Sequence, residues 1–255
     1  MIKRVSLLMF SALISHSTFA NNGNIQSVID AFTNCDNSFF YQLKTNANDF
    51  NEITDLVTQD DIAYIPVNSV IENEGNTNYF TKPILYRGLT ITAYQNIAIK
   101  TPFLGQYYYW GFIIDGSVDS VRQSLKQLPW QQYNVASYVA NPKLYDNLAK
   151  NSGWQPNPYI IDGIVPRLYT IEKSLYLEPI NENQVHLVCS IQGDMNRDLL
   201  YSIHPDMKYI DQELDIERKA KAIKEQKSFE IEQKDNGATL DENQIDNNNQ
   251  SSGNS

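Results

Sequence analysis

The segment LYTIEKSLYLE, residues 168–178, and the segment QVHLVCSI, residues 184–191, give the clearest signal for the fold. In the first segment apolar and polar side chains alternate, which is typical of a strand with one buried face. Between the two segments, Asn181, Glu182 and Asn183 predict a turn. The two segments are therefore expected to form an antiparallel hairpin.

Other segments are also rich in strand-forming residues. They are DIAYIPV at 61–67, ILYRGLTITAYQ at 84–95 and YYYWGFII at 107–114. Pro66 favours an edge position for the first of these strands. The other two are expected to pair as antiparallel neighbours.

Helical periodicity predicts several short helices around these strands. One or two amphipathic helical turns are expected within residues 24–44, and a helix that restarts at residues 36–38 would bury Phe39, Phe40 and Leu43. Further helices are expected at 118–128 after a Ser117 cap, at about 141–153 with Asn141 as cap and Pro142 as first helical residue, and at about 196–204. Because strands and helices do not alternate regularly, the predicted class is α+β. It consists of a mainly antiparallel sheet with several short helices packed on it, followed by a charged helix and a disordered tail.

The first twenty residues, MIKRVSLLMFSALISHSTFA, have the three parts of an export signal. Lys3 and Arg4 form a basic start, and residues 5–14 form an apolar run that is too short to span a bilayer. Thr18 and Ala20 place small side chains where a signal peptidase reads them. We expect cleavage after Ala20 and a periplasmic protein of Gram-negative type, with secretion as the alternative. No transmembrane segment is expected after cleavage.

Cys35 and Cys189 are the two cysteines of the chain. An isolated pair in an exported protein is most simply a disulfide. Cys35 extends an apolar series with helical spacing, and Cys189 shares a strand face with Val185, Leu187 and Ile191. Both thiols are therefore expected to point inward and to bond to each other.

The charge of the chain excludes one class of partner. The chain holds 20 basic and 30 acidic residues, and residues 1–20 contain two of the basic and none of the acidic ones, so the mature net charge is −12. Such a surface repels phosphate backbones, which argues against nucleic acid as a partner. A basic envelope protein fits this charge better.

The composition predicts four regions along the chain. They are the signal peptide at 1–20, an α+β globular domain at 21–210, a charged solvated helix at 211–234 and a disordered acidic tail at 235–255. The Pro- and Gly-rich segment 153–166 could join two lobes of the domain.

No motif with known chemistry stands out in the sequence. Beside the cysteines the mature chain has His186 and His204 as nitrogen ligands for zinc, without an HxxxH pair, and no GxSxG or DxDxDG motif occurs. We expect no catalytic residue, no metal and no cofactor. His186 is expected to be an exposed or half-buried sheet residue, and His204 to end a helix where a cation suits the dipole.

The run Tyr107-Tyr108-Tyr109-Trp110 is the one unusual local feature. On a strand, Tyr107 and Tyr109 point to one side, and Tyr108 and Trp110 to the other. One side must be core, and exposed aromatic rings on the other could stack on a sugar or anchor an interface. Tyr107, Tyr109 and Trp110 are therefore the candidate binding residues.

The sequence is compatible with two functions. The first is an exported, non-catalytic binding protein, for example an inhibitor- or immunity-like protein that acts on a basic partner. The alternative is an envelope hydrolase of glycans or peptides with dispersed carboxylate and aromatic residues. Two carboxyl groups about 5–10 Å apart beside the tyrosines would favour the hydrolase.

Overall fold

The computed structural model describes residues 22–101, 105–150, 153–157 and 166–248, with side chains from 23 to 228. The export signal predicted for residues 1–20 lies outside the described residues, as does most of the segment 153–166. The chain divides into two compact units, the first ending at Met195 and the second beginning at Asn196.

The described residues form an α+β fold with a mainly antiparallel sheet, which confirms the predicted class. The helices are α1 (Asn22–Phe32), α2 (Ser38–Thr45), α3 (Ala47–Phe50), α4 (Val118–Ser124), α5 (Arg197–Ile203) and α6 (Met207–Asn248). The strands are β1 (Val57–Gln59), β2 (Ile62–Tyr64), β3 (Thr77–Tyr86), β4 (Leu89–Thr101), β5 (Gly105–Asp115), β6 (Gln131–Gln132), β7 (Tyr138–Asp146), β8 (Gln155–Pro156), β9 (Thr170–Asn181) and β10 (Gln184–Gly193).

Eight strands form one antiparallel sheet, in the order β3-β4-β5-β10-β9-β7-β6, with β8 paired to β7. The predicted hairpin is β9–β10, and β10 lies between β9 and β5. Strands β4 and β5 pair as expected, and β1 and β2 form a separate two-stranded sheet. The strands before and after the segment 153–166, β7 and β9, pair directly with each other.

The segment 84–95 is not one strand, as its composition predicted, but contains the turn of the β3–β4 hairpin. Tyr86 pairs with Leu89, which leaves Arg87 and Gly88 as a two-residue turn. Both turn residues have positive φ, 48° and 82°. This is the geometry that matches the twist of paired strands, and Gly88 adopts it without steric cost.

The helix predicted after Asn141 is wrong, because residues 138–146 form strand β7. Asn141 has a φ of 53°, and the pairing register with β9 shifts between Ala140 and Lys143. Asn tolerates this left-handed conformation, and Pro142 lies at a position that donates no ladder hydrogen bond. An Asn-Pro pair therefore suits a β-bulge as well as a helix start.

One face of the sheet packs against α1 and α2, and we call it the helix face. The ring of Phe112 in β5 lies 4.8 Å from that of Phe32 and 5.9 Å from that of Phe39. Phe39, Phe40 and Leu43 are buried, as predicted. On the same face Cys35 and Cys189 form a disulfide with Cα atoms 5.3 Å apart, which confirms the predicted pair.

Helix α4 begins at the cap predicted for it. The Ser117 hydroxyl accepts a hydrogen bond from the Ser120 amide at 3.2 Å, and the Ser120 hydroxyl accepts one from the Ser117 amide at 3.1 Å. This reciprocal pair satisfies two of the amides that a helix start leaves without partners. The sequence at the start of α4 therefore supplies its own cap.

The second unit contains α5 and α6. Asn196 caps α5 by accepting a hydrogen bond from the Leu199 amide at 2.8 Å. His204, expected as a cation at the helix end, is fully buried, and burial lowers its pKa to about 3, so it is neutral. Side chains from 216 to 228 of α6 are exposed. The helix backbone continues to Asn248, into the segment for which the composition predicts disorder.

None of the helices that the structure describes combines the length and the hydrophobicity that a bilayer span requires.

Candidate functional site

Strand β5 separates the three candidate binding residues onto two faces. Trp110 pairs with Cys189 and belongs to the helix face, where it has no exposed surface. It is therefore part of the core and offers no surface to a ligand. Tyr107 and Tyr109 lie on the opposite face of the sheet, which we call the tyrosine face.

The register brings polar side chains together on the tyrosine face. In one row Tyr109 of β5 lies opposite Ser190 of β10, which lies opposite Ser174 of β9. Two residues further along each strand, Tyr107, Gln192 and Glu172 form a second row. Directly opposed residues of antiparallel strands have Cβ atoms roughly 4.5–5.5 Å apart. Two polar rows thus cross β5, β10 and β9, an arrangement that becomes visible only once the strand order is known.

Both tyrosines are covered rather than displayed. Tyr107 is 8% exposed. Tyr109 is half-buried and packs against a cluster formed by Val139, Tyr176 and Val188. The two rings therefore contribute to packing, and they do not form an exposed aromatic surface on which a sugar could stack.

Glu172 is a half-buried carboxylic acid on the tyrosine face. Its two oxygens accept hydrogen bonds from Asn157 Nδ2 at 2.9 Å and from Gln192 Nε2 at 3.2 Å. Burial nevertheless raises its pKa above the usual value. Asp146 of β7 lies diagonally across from Glu172, for which the expected separation is roughly 7–8 Å. Asp146 forms an ion pair with Arg167 at 2.8 Å.

His186 is half-buried, as the sequence predicted, but its Nε2 atom lacks a hydrogen bond within the described part of the chain. Nε2 is buried and has no hydrogen-bond partner among the described residues. Burial lowers the pKa of His186 to about 4, so the ring is neutral at neutral pH. The hydroxyls of Ser174 and Ser190 are likewise buried and without a described partner.

A second candidate site is an open groove of about 370 Å³ in the first unit. We call it the acidic groove. It lies between the loop after α3, the segment after β2 and the start of β3. Its lining residues are Asn51, Thr54, Asp55, Pro66, Val67, Asn68, Asn78, Tyr79 and Thr81.

Hydrogen bonds fix the walls of the acidic groove. Thr54 Oγ1 donates to Asn78 Oδ1 at 2.9 Å, and Asn78 Nδ2 donates to the Pro66 carbonyl at 2.8 Å. The Thr81 amide donates to the Ile53 carbonyl at 2.9 Å. This last bond forms where the register of β3 on β4 shifts, so the irregular part of the edge strand holds the loop. The loop after α3 and the segment after β2 are thereby both tied to β3.

Most of the groove is formed by a segment in which every charged residue is acidic. Residues 45–81 contain seven acidic residues and no Lys, Arg or His. Among the described residues, five of these acids have side chains that form neither an ion pair nor a hydrogen bond: Glu52, Asp55, Asp61, Glu72 and Glu74. All five are exposed, and Tyr79 on the groove wall is 75% exposed.

The sequence carried a signal for this site that residue-by-residue motif searches miss. Asp60-Asp61 and the Glu72/Glu74 pair, taken singly, resemble the solvated acids of any acidic protein. The informative feature is the absence of basic residues over 45–81. Within the described residues, no group of three or more His, Cys, Asp or Glu is placed to hold a metal ion.

Comparison with protein-family models, with curated proteins and with solved structures finds no match for this chain.

Proposed function

We propose that this protein is an exported, non-catalytic binding protein whose acidic groove receives a basic segment of another envelope protein. The observation that carries the proposal is the combination of a polar groove with a 45–81 segment that lacks any basic residue. An inhibitor- or immunity-like role towards a basic partner is one form of this function.

The groove offers the groups that a lysine- or arginine-rich segment requires. The Asp55 carboxylate and the side-chain oxygens of Asn51 and Asn68 can accept hydrogen bonds from cationic N–H groups. The exposed ring of Tyr79 can receive a cation on its face. The surrounding unpaired acids add a long-range field, which accelerates association with a basic partner and weakens with added salt.

Export is supported by the N-terminal sequence and is compatible with the disulfide. Mass spectrometry of a periplasmic fraction is expected to find a mature N-terminus at Asn21. An intact Met1 form confined to the cytoplasm would contradict export.

The function is tested by capture from envelope extract with the mature chain and two charge-reversal variants. Glu52→Lys/Asp55→Lys reverses charge at the groove, and Glu182→Lys/Asp194→Lys makes the same change at exposed acids elsewhere. We expect the native chain and the second variant to retain the same protein, one with a basic surface, and the groove variant to lose it. Equal capture by all three chains, or capture of an acidic protein, would contradict the proposal.

The hydrolase alternative now has a specific site, because Glu172 has the raised pKa of a general acid and Asp146 lies diagonal to it. However, both oxygens of Glu172 accept hydrogen bonds from amides, and Asp146 is paired to Arg167. Glu172→Gln separates the two functions. It would abolish a hydrolytic activity on envelope glycans or peptides and would leave capture of a basic partner unchanged.

A further inference from the structure

Two lysines face each other on β7 and β9, in the half of the sheet opposite to β3. Lys143 of β7 and Lys173 of β9 are directly opposite in the register. Opposed residues of antiparallel strands project to the same side, so both ammonium groups lie on the helix face. Both residues are half-buried.

The surroundings of Lys173 are aromatic and polar. Its Nζ donates to the Cys35 carbonyl at 3.3 Å and lies 5.0 Å from the centre of the Trp154 ring. The Tyr145 ring lies 5.5 Å from that of Trp154. The two aromatic rings thus form a wall beside the ammonium group.

The positive charges of this pair are poorly balanced. Like charges directly opposite in a sheet destabilise it. Asp36 is the acidic residue whose charge acts on Lys173, and its Oδ1 already accepts hydrogen bonds from the amide and hydroxyl of Ser38. Burial lowers the pKa of Lys173, and the charge of Lys143 lowers it further.

We propose that Lys143 and Lys173 together bind a small oxyanion, a carboxylate or a phosphate group, beside Trp154. An ammonium group has three donors. Lys173 uses one of them for the Cys35 carbonyl, and Lys143 makes no hydrogen bond or ion pair among the described residues. An oxyanion between the two nitrogens accepts from both and neutralises the repulsion. This site takes a ligand of opposite charge to that of the acidic groove and does not depend on the function proposed for the groove.

The test is the melting temperature of the full mature chain with 10 mM sodium phosphate or sodium acetate, against NaCl at equal ionic strength. A site with a Kd of about 1 mM predicts an increase of about 3–6 °C beyond that caused by NaCl. The two anions distinguish the sources, because a larger increase with phosphate assigns a phosphate ligand and a larger one with acetate a carboxylate.

Lys143→Met removes one of the two cations, and Lys82→Met, at an exposed lysine of β3, is the matched control. We expect Lys143→Met to lose the anion effect while melting at the same or a higher temperature without anion. Lys82→Met should respond as the native chain does. No anion effect in the native chain, or an undiminished effect in Lys143→Met, would overturn the proposal.

A second measurement keeps the test valid if Lys143→Met does not fold. In ¹H–¹⁵N spectra of the native chain, phosphate or acetate is expected to shift the amides of residues 143, 154 and 173 most. Largest shifts elsewhere in the chain would overturn the site.

Discussion

The helix face and the tyrosine face of the same sheet are built in different ways. On the helix face, Phe32, Phe39 and Phe112 interlock, and the disulfide ties the α1–α2 connection to β10. The tyrosine face is also buried at its centre, but it places His186, Ser174 and Ser190 there without described partners. Adjacent residues of one strand, such as Cys189 and Ser190, therefore serve opposite energetic roles.

The difference shows where the stability of this fold originates. Apolar burial contributes roughly 25 cal/mol per Å², whereas a buried polar group without a partner costs about 1–3 kcal/mol. We infer that the helix face stabilises the sheet and that the tyrosine face reduces part of this gain. Removing an apolar side chain from the helix face and removing a buried polar group without a described partner from the tyrosine face should then have effects of opposite sign.

The largest effect is expected from breaking the disulfide. It closes a loop with a sequence separation of 154 residues, and its loss returns that freedom to the unfolded chain. Cys35→Ser should lower the free energy of unfolding by about 2–5 kcal/mol, measured by urea denaturation. The double variant Cys35→Ala/Cys189→Ala controls for the thiol left alone. A loss below 1 kcal/mol in both variants would show that the helix face does not depend on the bond.

Acidification should act on the tyrosine face through His186. Its pKa is about 4 in the folded chain and about 6.5 when unfolded, so folding favours the neutral ring. This contribution is complete above pH 6.5 and is lost as the pH falls towards 4, by about 2–3 kcal/mol. His204 titrates in the same direction, so the measurement is the difference in unfolding free energy between the native chain and His186→Leu. A difference that does not change between pH 7 and pH 4 would contradict the buried neutral ring.

A smaller effect of opposite sign is expected at the serines. Ser190→Ala removes a buried hydroxyl without a described partner and should leave the free energy of unfolding unchanged or raise it by up to about 1 kcal/mol. Ser117→Ala removes the α4 cap and should lower it by about 1 kcal/mol. If both substitutions destabilise equally in urea, Ser190 has a partner and the contrast between the faces weakens.

The smallest effect is expected from the C-terminal helix. Deleting 216–255 removes side chains that are exposed wherever they are described, so the melting temperature should change by about 1–2 °C at most. Deleting 211–255 also removes Asp211, which accepts a hydrogen bond from Tyr201 at 3.1 Å, and should cost more. Equal and large losses from both deletions would show that the exposed part of α6 contributes to stability.

Sequence periodicity predicted the parts of the fold in which one face is buried. The alternation in 168–178 gave the β9–β10 hairpin, and the inward positions of Cys35 and Cys189 gave the disulfide. The helix predicted after Asn141 was wrong because an Asn-Pro pair is compatible with both a helix start and a β-bulge. Only the pairing of β7 with β9 distinguishes the two.

The candidate sites were less predictable for a physical reason. The alternation along β5 correctly placed Tyr109 and Trp110 on opposite faces of the sheet. Whether each face is covered by other parts of the chain depends on contacts between residues that are distant in sequence. The rows on the tyrosine face require the order of β5, β10 and β9, and the lysine pair requires the register after a bulge. The absence of basic residues over 45–81 is the signal for the acidic groove that the sequence itself contains.

The most direct test of the central claim is a calorimetric titration of the mature chain with a ten-residue lysine peptide. At 20 mM NaCl we expect binding that Glu52→Lys/Asp55→Lys weakens at least about tenfold, equivalent to about 1.4 kcal/mol. Glu182→Lys/Asp194→Lys should bind as the native chain does, and 300 mM NaCl should weaken all binding. Equal affinities in the two variants would contradict a binding site at the acidic groove.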